Sequence, residues 1–132
     1  MSAIFYDLQD ETNPDNGKIV EDGASVKELL RKNALRRPFT CQLVYEDRLQ
    51  LMIGLGEHHC SAQHSANNGD SQYLVGYLRE NRGQTGEVEF MLSGSPTEIS
   101  RRHCFPLDIL LEVAAHFVET GDRSSIVLWE EA

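Results

Sequence analysis

Two adjacent runs of alternating hydrophobicity constrain this chain more than any other feature. Phe39, Cys41, Leu43 and Tyr45 fall on one face of the first run, and Leu49, Leu51, Ile53 and Leu55 on one face of the second. The polar Glu46-Asp47-Arg48 lies between them. Apolar residues two apart share a face only in an extended chain, so the spacing predicts an antiparallel hairpin with one buried side. Such a sheet needs a second layer over its apolar face, and two segments with a helical period can supply it. Ser25-Val26-Lys27-Glu28 has the form of a capping box, with Val26, Leu29, Leu30 and Asn33 following at helical spacing. Arg31, Lys32, Arg36 and Arg37 gather toward the far end, where cations complement the helix dipole, and Pro38 marks the stop. Pro106 suits the first turn of a second helix. Leu107, Leu110, Leu111, Ala114, Phe117 and Val118 give that helix a wide apolar stripe, and Gly121 supplies its end.

Shorter extended segments complete the reading. Residues 3–6 read as an edge strand followed by a mobile loop through Gly17. Residues 72–78 read as a strand after the turn Asn67-Asn68-Gly69-Asp70. In residues 87–92, Glu87 and Glu89 alternate with Val88 and Phe90, so one face is expected to be wet. Residues 93–102 read as a polar connection and 126–132 as a final strand. The expected fold is α+β: an antiparallel sheet of about five or six strands with two helices packed on one face. At 132 residues the chain forms one core, so a single domain over 1–132 is expected.

Charge narrows the choice of partner. The chain carries 12 Lys+Arg against 21 Asp+Glu, a net charge of −9. That field repels phosphates, which argues against direct binding of nucleic acid or of an anionic membrane surface and favours a cationic partner. Residues 1–23 hold Asp7, Asp10, Glu11, Asp15, Glu21 and Asp22 against Lys18 alone, so −5 of the total lies in this segment, read as acidic and partly mobile. No apolar run approaches the roughly 20 residues of a spanning helix, and the first residues lack the basic and apolar regions of a signal peptide. A cytoplasmic location is expected. Cys41, Cys60 and Cys104 are odd in number and far apart, which suits reduced thiols.

Few constellations suggest catalysis. His58, His59, Cys60 and His64 are close in sequence, and imidazole with thiolate is a zinc donor set, but structural zinc sites pair their ligands on two separate elements. A polar loop or bulged strand, with Cys60 as a small hydrophobe, accounts for the same residues. Nothing around Cys60 or Cys104 resembles a nucleophile elbow, and Gly54-Leu55-Gly56 is too short for a phosphate-binding loop. Trp129 is followed at once by Glu130 and Glu131, and a tryptophan at a rim is a frequent interface anchor.

The run Ser95-Pro96-Thr97-Glu98-Ile99-Ser100, then Pro106-Leu107 opening an apolar helix, then Phe117-Val118-Glu119-Thr120-Gly121-Asp122-Arg123 and the close Val127-Leu128-Trp129-Glu130-Glu131 resembles immunity family one of bacterial polymorphic toxin systems. The resemblance covers the order of elements from about residue 39 onward, and its specific residues lie in the last third. The turn at Asp122-Arg123-Ser124 and the histidine loop depart from the pattern. The resemblance implies a small acidic cytoplasmic protein with no cofactor and no catalytic residue. Such a protein binds and neutralises a cognate toxin domain, often a nucleic-acid deaminase. A toxin that acts on nucleic acid has a basic channel that carboxylates can occupy. Asp70, Glu98, Trp129, Glu130 and Glu131 are the first candidates for that contact. The competing expectation is a small metal-binding or cysteine/histidine-dependent enzyme centred on His58, Cys60 and His64.

Overall fold

The computed structural model describes residues 2–66 and 73–132. The expected hairpin is its centre. Strands β3 (Phe39–Tyr45) and β4 (Leu49–Leu55) pair from Phe39↔Leu55 to Tyr45↔Leu49. Glu46 and Asp47 turn the chain with φ of +49° and +56°, and the Arg48 N–H closes the turn on the Tyr45 carbonyl at 3.0 Å. Positive φ at consecutive turn residues matches the natural twist of the paired strands.

Outward from this pair the sheet grows on both sides. On one side lie β1 (Ala3–Asp7) and the two-residue β2 (Ile19–Val20); on the other lie β5 (Ser61–Ala66), β6 (Leu74–Tyr77) and β9 (Leu128–Glu131). A further hairpin, β7 (Glu87–Leu92) with β8 (Ser95–Ser100), joins β3 through a parallel bridge at Phe39↔Met91. The order is β2-β1-β3-β4-β5-β6-β9, with β7 and β8 off this path.

Pairing register decides which face is core. Phe5↔Leu43, Cys41↔Ile53, Leu43↔Leu51 and Ile53↔Ala62 put Phe5, Cys41, Leu43, Leu51, Ile53 and Ala62 on one side. Helices α1 (Gly23–Asn33) and α2 (Leu107–Thr120) cover that side, burying Val26, Leu29, Leu30, Leu110, Leu111, Ala114, Phe117 and Val118 in the same cluster. The α+β class and the two-helix layer are as expected. Gly121 ends α2 with φ of +76°, and a β-carbon there would stand 2.7 Å from the Tyr45 ring.

Several local expectations change. The sheet has nine strands among the described residues, not five or six. Residues 95–100, read as connection, form β8, because Ser93 and Gly94 take φ of +49° and +85° and fold the chain straight back on β7. Pro96 is tolerated there because β8 is an edge. β1 is not an edge strand, since β2 flanks it. Helix α1 starts a turn before the proposed box. Its cap is Asp22, whose carboxylate accepts from the Ser25 N–H at 2.8 Å and the Ser25 hydroxyl at 2.7 Å. Gly23 can lie that close to α2 because it lacks a side chain: its N–H donates to Glu119 Oε2 at 3.1 Å, and a β-carbon would sit 3.0 Å from that of Ala115. The helix ends at Asn33, short of Pro38. The turn expected at residues 67–70 lies outside the described residues.

Two acids of the N-terminal segment face inward. Asp7 Oδ1 accepts from the Gln9 and Asp10 N–H groups, and Oδ2 from Asn13 Nδ2 and Arg36 Nη1, all within 2.7–2.8 Å. Asp15 is held by Lys32 at 2.8 Å and by Asn33.

Candidate functional site

The face of the sheet turned away from the helices is partly roofed by the β7–β8 hairpin, leaving a cleft of about 420 Å³. Its floor comes from Met52 on β4, Gln63 on β5 and Val75 on β6, a row fixed by the pairings Met52↔Gln63 and Gln63↔Val75. Phe90, Leu92, Thr97 and Ile99 line it from the hairpin. The Phe90 ring lies against Gly54, where an added β-carbon would stand 2.9 Å from Cε1 and Cζ. The absent side chain lets the ring lie flush on the sheet, and Phe90 is 1% exposed.

Carboxylates stand near this cleft, three of them on the outer face of the hairpin that roofs it. The β7–β8 register sets Glu89 directly opposite Glu98, and Glu87 lies two residues from Glu89 on the same face of β7. All three are exposed, and none forms an ion pair with another described residue. Glu130 pairs with Val75 in register and so lies on the cleft side. Its Oε1 accepts from His103 Nε2 at 2.9 Å and from Arg102 Nη2 at 3.3 Å. The His103 hydrogen bond outweighs desolvation and, with the charge of Arg102, holds the Glu130 carboxyl below its usual pKa.

The other expected contact residues divide. Trp129 turns to the helix side, edge-on to His64 at 6.4 Å between ring centroids, and its Nε1–H donates to the Ser124 carbonyl at 2.8 Å. Glu131 shares that side by register. Asp70 lies outside the described residues. The remaining acids near the end of the chain engage their own scaffold: Asp108 accepts from the Ile109 N–H at 3.0 Å, Glu112 pairs with Lys27 at 2.6 Å, Glu119 accepts from Gly23, and Asp122 accepts from the Arg123 N–H at 2.7 Å.

The histidine and cysteine cluster is dispersed along the chain leading into and through β5. His58 is exposed beside Glu57. Cys60 is buried, bridged through its backbone to Phe105, and its thiol donates to the Gly56 carbonyl at 3.2 Å. Burial pushes that thiol up to about 12 and the Cys104 thiol to about 11. His64 points to the helix side, where its Nε2 lies 3.0 Å from the Gly121 carbonyl. A carbonyl only accepts, so this nitrogen carries the hydrogen. Its ring meets Phe117 edge-on at 5.6 Å. Among the described residues, no three His, Cys, Asp or Glu side chains stand where they could share an ion.

Sequence reasoning missed Gly54, Phe90 and the Glu89–Glu98 opposition. The signal was the dipeptide Ser93-Gly94 between two extended runs, which marks a hairpin and fixes which residues face each other across it.

Comparison with known proteins adds one family. The model described as immunity protein Imm1 matches residues 17–131. No curated protein matches the chain.

Proposed function

This chain belongs to the Imm1 immunity protein family, and from that premise we propose that it neutralises a nucleic-acid deaminase toxin by occupying the toxin's basic substrate channel with carboxylates. Family membership supports a toxin-neutralising role. The observation that carries the finer reading is the opposition of Glu89 and Glu98, two exposed acids with no cation among the described residues. Like charges directly across a strand pair destabilise a sheet, and a partner's cations relieve that repulsion on binding. A channel built for phosphates offers such cations. Complementary fields speed the encounter and select the partner.

In this reading the protein acts without catalysis or cofactor, in the bacterial cytoplasm where the toxin would meet its substrate. Glu98 and Glu130 belong to the contact, with Trp129 and Glu131 extending it around β9; Asp70 is a further contact residue in this reading. The buried, protonated thiols support a binding role over a cysteine-dependent one, since the thiolate is the nucleophile and the metal ligand.

The test uses the toxin domain encoded beside this protein, assayed for deamination of single-stranded and double-stranded substrates with increasing amounts of the purified protein. The expected result is complete inhibition at one-to-one stoichiometry, with affinity falling as salt rises. Failure to bind overturns the reading. Tight binding indifferent to salt overturns its electrostatic part.

A further inference from the structure

The cleft beneath the β7–β8 hairpin is an apolar recess on a face that no helix covers. Met52, Val75, Phe90, Leu92 and Ile99 contribute to its walls, and its volume of about 420 Å³ is enough for a large side chain with its neighbouring backbone. Protein interfaces draw most of their affinity from a few aromatic or aliphatic side chains seated in such recesses, where neighbouring contacts exclude water. Glu98 lines the recess and faces Glu89 across the hairpin. One guanidinium can bridge two carboxylates, because it presents five donors in a rigid fork. Phe90, Thr97 and Ile99 face the recess, so by alternation Glu89 and Glu98 project from the opposite face of the hairpin; β8 is its free edge, and a partner segment that enters the recess reaches the acidic pair by passing over that edge.

We propose that this cleft is the anchoring site for the toxin: it seats one apolar side chain, aromatic or long aliphatic, while an adjacent arginine or lysine of the same segment lies across Glu89 and Glu98. This inference rests on the toxin-binding reading above and adds to it the position and chemistry of the contact. Charge complementarity selects this occupant. A segment of apolar residues alone would leave Glu89 and Glu98 opposed, and a second copy of this chain, carrying the same net charge of −9, would add to the repulsion.

The experiment measures affinity for the catalytically inactivated toxin domain by calorimetry. Thr97→Trp fills the cleft from the hairpin, and Gln63→Trp fills it from the sheet, so a folding failure in one leaves the other to decide. Glu89→Lys with Glu98→Lys reverses the acidic pair. Glu21→Lys with Glu28→Lys makes the same change in net charge at exposed positions beside and on α1, on the other side of the sheet from the cleft, and circular dichroism confirms that each variant is folded. Either tryptophan and the paired reversal are each expected to weaken binding about 30-fold or more, the scale of a lost anchor, while the distant reversal weakens it by less than about 3-fold at physiological salt.

The failures are distinguishable. A wild-type protein that does not bind the toxin removes the reading on which the proposal rests. Wild-type binding left intact in both tryptophan variants keeps that reading and overturns the cleft as its anchor. Equal losses from the two charge reversals make the attraction one of net charge and overturn the local role of Glu89 and Glu98. A wild-type dimer dispersed by Thr97→Trp, or a small apolar molecule that co-purifies with the wild type alone, assigns the cleft to another occupant and overturns the proposal.

Discussion

Phe90 lies on Gly54 so closely that a β-carbon there would stand 2.9 Å from Cε1 and Cζ of the ring and 2.6 Å from Ser61 Oγ. The serine can rotate away, but the ring is enclosed. Gly54→Ala is therefore expected to displace the hairpin and to destabilise the protein by about 1–3 kcal/mol, as overpacking does. Gly83 has nothing within 4 Å of the equivalent position, so Gly83→Ala should match or slightly exceed wild-type stability. Thermal melts of the two variants make the comparison. Equal stability in both would mean that Phe90 does not rest on β4.

Acid sensitivity follows from Asp7. Burial pushes its carboxyl up, but the hydrogen bonds from Asn13, the Asp10 N–H, Arg36 and the Gln9 N–H together outweigh it, so the folded pKa lies below the ordinary value of 3.8. A depressed carboxyl contributes stability that is present above the unfolded pKa and lost as pH falls through the folded one. Asp15 shifts the same way, mainly through Lys32. Urea unfolding should show stability falling below about pH 4. Asp7→Asn should cost about 2–3 kcal/mol at neutral pH, the scale of a broken charged hydrogen-bond set whose partner Arg36 still reaches water. It should also flatten the acid limb. An unchanged acid limb in that variant would remove Asp7 from the account.

What could be read from the sequence depended on where the deciding contact lies. The β3–β4 hairpin and α2 were legible because their periods and stops, the alternation from Phe39 to Leu55 and the Pro106–Gly121 pair, are local. The cap of α1 was not. Ser25 fits the capping-box pattern, yet it is the donor to Asp22, and the start one turn earlier brings Gly23 against Glu119, 96 residues away. Strand β8 was missed since its inward residues, Thr97 and Ile99, face a cleft rather than the core, so no apolar alternation marks it. Of the acids singled out, Glu130 lies on the cleft side and Glu98 on the hairpin at the rim of the cleft. The acid that completes the opposition, Glu89, needed the register of a hairpin that sequence had not paired.

The thiols should prove inert. Burial raises Cys60 to about 12 and Cys104 to about 11, and Cys41 also well above the ordinary value. At pH 8 the native protein is therefore expected to resist iodoacetamide at all three positions, with reaction only after unfolding, and a strong chelator should leave its melting temperature unchanged. Mass spectrometry counts the alkylated sites. Rapid native labelling of Cys60, or a melting temperature lowered by chelator, would revive a thiolate or metal role for the His58–His64 segment.

Glu89 and Glu98 make the last expectation, one that needs no partner. Opposed like charges on neighbouring strands cost a sheet roughly 0.2–1 kcal/mol, so Glu98→Gln, which keeps the shape and removes one charge, should stabilise the free protein by about that amount. The gain should shrink as salt rises, because exposed charges are screened. Phosphate-free buffers at two ionic strengths, with chemical denaturation in urea, read both effects without adding charge. A variant that is less stable than the wild type would mean that Glu98 supports its own fold. A variant that is more stable at low salt, yet weaker toward the toxin, would show a sheet that tolerates repulsion in the free state because the repulsion is relieved in the complex.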